Sequence, residues 1–217
     1  MPIEKHINFF ELEKVLVKPG CPLCRIINDR TERYIDNMLF EHITNRSFRA
    51  EFRAAGGFCA YHSRNLESFR DGLAVAILSR DILEDRIKSF KTRKKWAPKQ
   101  LCPACAQRLS IEEDYLNFIS ACKGNSSEEN ELKKLFLASD GFCVIHYAQL
   151  FFTAKGRPRD VPKWLIDFHE NKYNELLQRI DKFTKLSAYG RQDEFNALST
   201  EDKLVWKEAA AALRGNV

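Results

Sequence analysis

One set of metal-ligating residues is written twice in this chain, and that doubling constrains its fold more than any other feature. Cys21-Pro-Leu-Cys24 is followed by Gly57-Phe58-Cys59-Ala-Tyr-His62, with 34 residues between Cys24 and Cys59. Cys102-Pro-Ala-Cys105 is followed by Gly141-Phe142-Cys143-Val-Ile-His146, with 37 residues between Cys105 and Cys143. Each copy supplies three cysteines and one histidine, enough to fill a tetrahedral zinc site with no position left for water. A closed site of that kind holds a fold together and activates nothing.

The repeat extends beyond the ligands. A shift of 81 residues carries Cys21, Pro22, Cys24, Glu32 and Tyr34 onto Cys102, Pro103, Cys105, Glu113 and Tyr115. A shift of 84 carries Phe52, Ala54, Gly57, Phe58, Cys59, His62 and Leu66 onto their counterparts from Phe136 to Leu150. The three added residues belong in the polar stretch Lys123–Ser127, opposite Thr44–Ser47 in the first copy. A period this long indicates two related modules and not the short stacked units of a solenoid.

Most segments carry helical periodicity. Ile27, Tyr34, Ile35, Met38 and Leu39 define a helix after the first Cys pair, and Leu109, Tyr115, Leu116 and Ile119 its counterpart. Leu66 to Phe90 forms one long amphipathic stretch without proline, and Leu132, Leu135 and Phe136 mark a further helix. Another is expected from about Val161 to Phe183, with Pro162 in its first turn, where a missing amide hydrogen costs little. Ser199 can cap a tail helix that ends before Gly215. Alternating apolar–polar runs are scarce. The expected fold is therefore all-α: two related helical modules, 1–91 and 92–186, each cross-linked by a Cys3His metal site, with a tail helix in 187–217. The copies meet near Thr92–Gln100, and Gly156–Asp160 reads as a loop inserted in the second copy.

Spacing of two residues lets both cysteines of a CPxC turn face one ion, and a Cys and a His three apart on a first helical turn point to the same side. Metals of this kind supply the cross-link that a thin helical module needs. The reading gives two Zn2+ per chain, held by Cys21, Cys24, Cys59 and His62 and by Cys102, Cys105, Cys143 and His146. An alternative spacing-compatible arrangement lets a pair from one copy meet a pair from the other. An iron–sulfur cluster and thiol–disulfide chemistry are the competing uses of these residues. Cys122 stands outside the pattern, as a small buried hydrophobe. His6, His42 and His169 lack motif partners and read as surface or capping residues. No Ser-His-Asp signature, phosphate-binding glycine loop or HExxH appears, so no catalytic residue is assigned.

At 44% hydrophobic and 30% charged the composition argues against extended disorder, and no apolar run reaches the ~20 residues needed to span a bilayer. No secretory pattern opens the chain, so a cytoplasmic location is expected, where paired cysteines bind metal more often than they form disulfides. The net charge of +5 permits an acidic partner without requiring one. Arg86, Lys88, Lys91, Arg93, Lys94, Lys95 and Lys99 form an acid-free run around Trp96. Cations there could track phosphates while the indole stacks on a base. The plainer reading is a solvated helix end, with Trp96 packed against its own module.

The tandem CPxC…GFCxxH pattern, followed by a long helix and a tail ending Ala211-Ala-Leu-Arg-Gly215, resembles an uncharacterised prokaryotic family of unknown function. The resemblance extends over about residues 9–215 and implies that the eight motif residues are signature positions. It implies no activity. These features together describe a zinc-binding helical protein with structural metals, acting as an interaction or adaptor protein. Nucleic-acid binding is the second reading and a thiol or metal redox sensor the third.

Overall fold

The computed structural model describes residues 7–69, 71–93, 95–188 and 190–215. Helix α1 (Ile7–Leu16) precedes the first copy, which contains α2 (Pro22–Glu41), α3 (Arg46–Ala54), α4 (Ala60–Arg64) and α5 (Gly72–Lys91). The second copy repeats the order as α6 (Pro103–Ala121), α7 (Ser127–Leu137), α8 (Val144–Leu150) and α9 (Lys163–Leu186). Helices α10 (Gln192–Asn196), α11 (Thr200–Lys203) and α12 (Val205–Arg214) form the tail. Among the described residues the β structure is one antiparallel bridge, Phe152 to Pro158. The fold is all-α, as the periodicity predicts.

Local chemistry explains most boundaries. Asn45 caps α3, its side chain accepting from the amides of Ser47 and Phe48 at 2.9 and 3.2 Å. Ser126 caps α7, and Glu129 turns back to accept from Gly124 and Asn125 at 2.7 and 2.8 Å. The stretch expected as one long helix after His62 is broken. A 3₁₀ turn spans Leu66–Phe69, and Asp71 starts α5 anew by accepting from the amide of Ala74 at 2.9 Å. Pro162 stands just before α9 and not inside its first turn. Ser199 does cap the tail, but the helix is interrupted at Leu204.

The chain divides into two compact units that cut across the two sequence copies. One comprises the chain up to Ile26 together with Glu113 onward; the other comprises Ile27–Glu112. In the first unit α1 packs on α7, and α9 is covered by α10, α11 and α12. Its buried side chains include Leu12, Tyr115, Leu116, Phe136 and Leu165. In the second unit Ile35, Met38 and Leu39 of α2 close on Phe52 of α3, Ala74 and Leu78 of α5, and Cys102. Arg49 and Arg53 of α3 meet Asp81 and Asp85 of α5 in two-pronged ion pairs, so these two arginines already have carboxylate partners.

Candidate metal centres

All four ligand pairs use one local device. Cys21 and Cys102 stand immediately before α2 and α6, with Pro22 and Pro103 as first helical residues and Cys24 and Cys105 as third. Cys59 and Cys143 are the caps of α4 and α8, with His62 and His146 as third residues. The carbonyls of Cys21, Cys59, Cys102 and Cys143 each accept the first helical hydrogen bond, from Arg25, Ser63, Ala106 and Tyr147. Cap and third residue are where a serine and a glutamate would otherwise satisfy a helix start. Here both side chains turn over the open helix end instead. Unpaired amides and the positive end of the helix favour thiolate at such positions.

The pairs combine across the copies. Cys21, Cys24, Cys143 and His146 form one group, and Cys59, His62, Cys102 and Cys105 form the other, with the ligand atoms of each group within 4.8 Å of one another. The expected within-copy grouping, Cys21 and Cys24 with Cys59 and His62, is therefore corrected. Each group joins the CPxC helix of one copy to the CxxH helix of the other. The spacings of 34 and 37 residues reach either partner, and tertiary packing makes the choice.

In the first group His146 Nδ1 lies 3.4 Å from Cys21 Sγ, 3.4 Å from Cys24 Sγ and 3.2 Å from Cys143 Sγ, and the Cys24 and Cys143 sulfurs are 3.8 Å apart. In the second, His62 Nδ1 lies 3.3 Å from Cys59, 3.5 Å from Cys102 and 3.5 Å from Cys105, with Cys59 and Cys105 3.7 Å apart. A tetrahedral ion with sulfur at about 2.3 Å and nitrogen at about 2.0–2.1 Å sets sulfurs about 3.8 Å apart and sulfur about 3.5 Å from nitrogen. In both groups the three sulfur–nitrogen edges and the Cys24–Cys143 or Cys59–Cys105 edge are close to those lengths. Each could hold one metal ion.

The first group is the more deeply buried. All four of its residues are buried, and the chain turns over them at Gly215, with φ 72°. A Cβ at Gly215 would sit 2.8 Å from Cys24 Sγ and 3.3 Å from Cys143 Sγ, so only glycine fits both the conformation and the space. Helix α9 braces the Gly141-Phe142-Cys143 turn. His169 is not a surface or capping residue: it is 1% exposed. Its Nε2 accepts from the amide of Phe142 at 2.8 Å and its Nδ1 donates to the carbonyl of Leu165 at 2.8 Å. The imidazole stacks between Phe142 and Tyr147, and Tyr173 donates to the carbonyl of Phe142 at 2.9 Å. Burial drives the His169 pKa down to about 4, so the ring is neutral at neutral pH. A lone histidine in an amphipathic helix carries no spacing signal, which is why its role escapes the sequence.

The second group is less enclosed. Cys102 and His62 are buried, whereas Cys59 and Cys105 are half-buried. His62 Nε2 is buried and has no hydrogen-bond partner among the described residues. Burial and the nearby Arg108 hold His62 below the usual histidine range, which keeps Nδ1 available as a ligand. Without metal, burial pushes the Cys105 thiol up to about 12. Burial also opposes ionisation of Cys59, but the His62 amide, the Cys105 thiol and the Tyr61 amide hold it below the ordinary value. The two neighbouring thiols are thus pushed in opposite directions, and metal uptake by cysteines that carry protons must release them.

Other sequence candidates have plainer roles. Cys122 is buried, and burial pushes its thiol up to about 11, as befits a small hydrophobe. His42 is exposed beside Glu41, and His6 lies outside the described residues. Trp96 packs on Gly56 and beneath Arg86, whose guanidinium carbon is 3.1 Å from the ring centroid. Lys88, Lys91, Arg93, Lys95 and Lys99 are exposed, and Lys94 lies outside the described residues. The Gly156–Asp160 loop is pinned down: the Arg159 side chain donates to Glu113, to Asn117 at 2.9 Å, and to the carbonyls of Gln149 and Phe152.

An all-α protein with two Cys3His groups is what the fold and these sites define. The chain resembles a family of unknown function, DUF6062, whose model matches residues 11–100. It is also 26% identical, over 174 residues, to an "Uncharacterized 23.9 kDa protein in xynA 3'region" of Caldicellulosiruptor sp. (strain Rt8B.4), covering 78% of this chain and 83% of that protein. No solved structure matches. The family match is narrower than the span of about 9–215 expected from the motifs. It holds the CPxC pair of one group and the CxxH pair of the other. No described helix is long and apolar enough to cross a membrane.

Proposed function

We propose that this protein binds two structural zinc ions and serves as an interaction or adaptor protein. One observation carries the metal reading: each group brings three sulfurs and one nitrogen within 4.8 Å of one another, with three sulfur–nitrogen edges and one sulfur–sulfur edge that suit a single tetrahedral centre. A polynuclear iron–sulfur cluster would spread its ligands around several ions, so convergence on one point favours a single ion. Among single ions, three thiolates and one imidazole suit zinc. Cys21, Cys24, Cys143 and His146 would hold one zinc, and Cys59, His62, Cys102 and Cys105 the other. Such ions supply cross-linking and no open coordination position.

The interaction reading is supported over nucleic-acid binding by what the basic region does with its own groups. Trp96 faces Gly56 and Arg86, which leaves its ring engaged instead of offered to a base. Arg49 and Arg53 are neutralised by Asp81 and Asp85. Two measurements test the proposal. Metal analysis of protein purified without oxygen should return two zinc ions per chain; iron, colour or one ion overturns the metal reading. A labelled oligonucleotide, titrated at two salt concentrations, should show no more than weak, salt-sensitive attraction. Tight binding that Lys91→Glu and Arg93→Glu abolish would favour the nucleic-acid reading instead.

A further inference from the structure

The two groups have the same ligands but unequal protection. In the first, every ligand is buried and Gly215 covers Cys24 and Cys143. In the second, two of the three cysteines, Cys59 and Cys105, are only half-buried, and their sulfurs are neighbours at 3.7 Å. The histidine of that second group is also poorly supported. A ligating imidazole ordinarily donates its other N–H to a fixed partner, and loss of such a partner typically weakens metal binding 10–100-fold. His62 Nε2 is buried with no partner among the described residues.

We propose that Cys59 and Cys105 form a peroxide-oxidation site through which the second group, and not the first, gives up its metal. The inference rests on the reading that both groups hold zinc. The chemistry balances with a peroxide as the oxidant. The thiolate of one cysteine attacks the O–O bond, forming a sulfenic acid while the leaving oxygen departs as water after taking up a proton. The thiolate of the other attacks the sulfenic sulfur, an S–S bond forms as the S–O bond breaks, and the hydroxyl leaves as a second water after taking up one proton. Two thiolates, one hydrogen peroxide and two protons thus become one disulfide and two waters: sulfur is oxidised by two electrons and the peroxide reduced by two. The metal, left with Cys102 and His62, dissociates. A dithiol reductant with zinc reverses the change. The sulfurs must close from 3.7 Å to about 2.05 Å, a movement of two side chains within one site.

The test uses the full chain purified without oxygen, with its zinc counted first. Hydrogen peroxide is then added in the presence of a zinc-responsive dye. One equivalent should appear at least tenfold faster than the second, and peptide mapping at that point should find a Cys59–Cys105 disulfide with Cys21, Cys24 and Cys143 still reduced. Deleting residues 215–217, which removes the Gly215 cover but no ligand, should accelerate release of the second equivalent and leave the first unchanged. Zinc lost from both groups at one rate, or oxidation of Cys24 or Cys143 first, overturns the proposal. A protein that carries no zinc at the outset fails the underlying metal reading, and is told apart by that first count.

Discussion

The imidazole of His169 donates through Nδ1 to Leu165 and accepts through Nε2 from the Phe142 amide, so a second proton would break the bond that steadies the Cys143 turn. Its folded pKa of about 4 lies below the ordinary 6.5. The stabilisation is therefore fully present above about pH 6.5 and is lost as pH falls through 4. Ring chemical shifts should report a neutral His169 throughout pH 5–8, whereas a transition near 6.5 would contradict the buried geometry. His169→Ala leaves the Phe142 amide without its acceptor, a loss of about 1–3 kcal/mol, read as a lower unfolding midpoint. The ligands permit a sharper test. Cys143→Ser should lose one zinc. Adding Cys21→Ser should cost no further metal, because both belong to one group, while adding Cys102→Ser should remove the second ion. Within-copy pairing predicts the reverse, and metal content alone decides between them.

Between elements, the contact of α3 with α5 turns on repeat spacing. Arg49 and Arg53 are four apart on one helix, Asp81 and Asp85 four apart on the other, and the pairs align. Asp81 is nearly buried, so removing only its partner leaves a carboxylate in poor contact with water. Arg49→Ala should thus lower the unfolding midpoint more than Arg49→Ala combined with Asp81→Ala; equal losses would mean that the pair contributes nothing specific. None of this alignment is legible in the sequence, where these arginines count only as scattered positive charge. The helices themselves are legible, because apolar periodicity is a local property. So is the break at Asp71, a capping residue before Gly72, although the apolar run from Leu66 to Phe90 masks it. Helix starts at the four metal pairs are marked by proline in two cases and by cysteine alone in the others, and cysteine is no ordinary cap.

Across the whole molecule, the identity of the eight candidate ligands was readable because the motif occurs twice, but their pairing was not. Ligand type and spacing are local, whereas partner choice depends on how α2 and α6 meet the CxxH turns, which no short-range pattern encodes. The outcome is nested: residues 21 and 24 reach 143 and 146, and this outer bracket encloses the inner one between 59 and 105. A single copy, such as the 11–100 segment, completes neither bracket. The segment 92–100 lies inside both, lysine-rich and largely exposed. A protease that nicks the chain there produces two pieces, each owning half of every metal site. With zinc bound, the pieces should travel as one species in gel filtration and separate when a chelator is added. Pieces that part without a chelator, each keeping one ion, would mean that every copy closes on itself. Metals held in these two groups would act as a clasp, making the peptide bonds of the connecting segment dispensable for keeping the halves together.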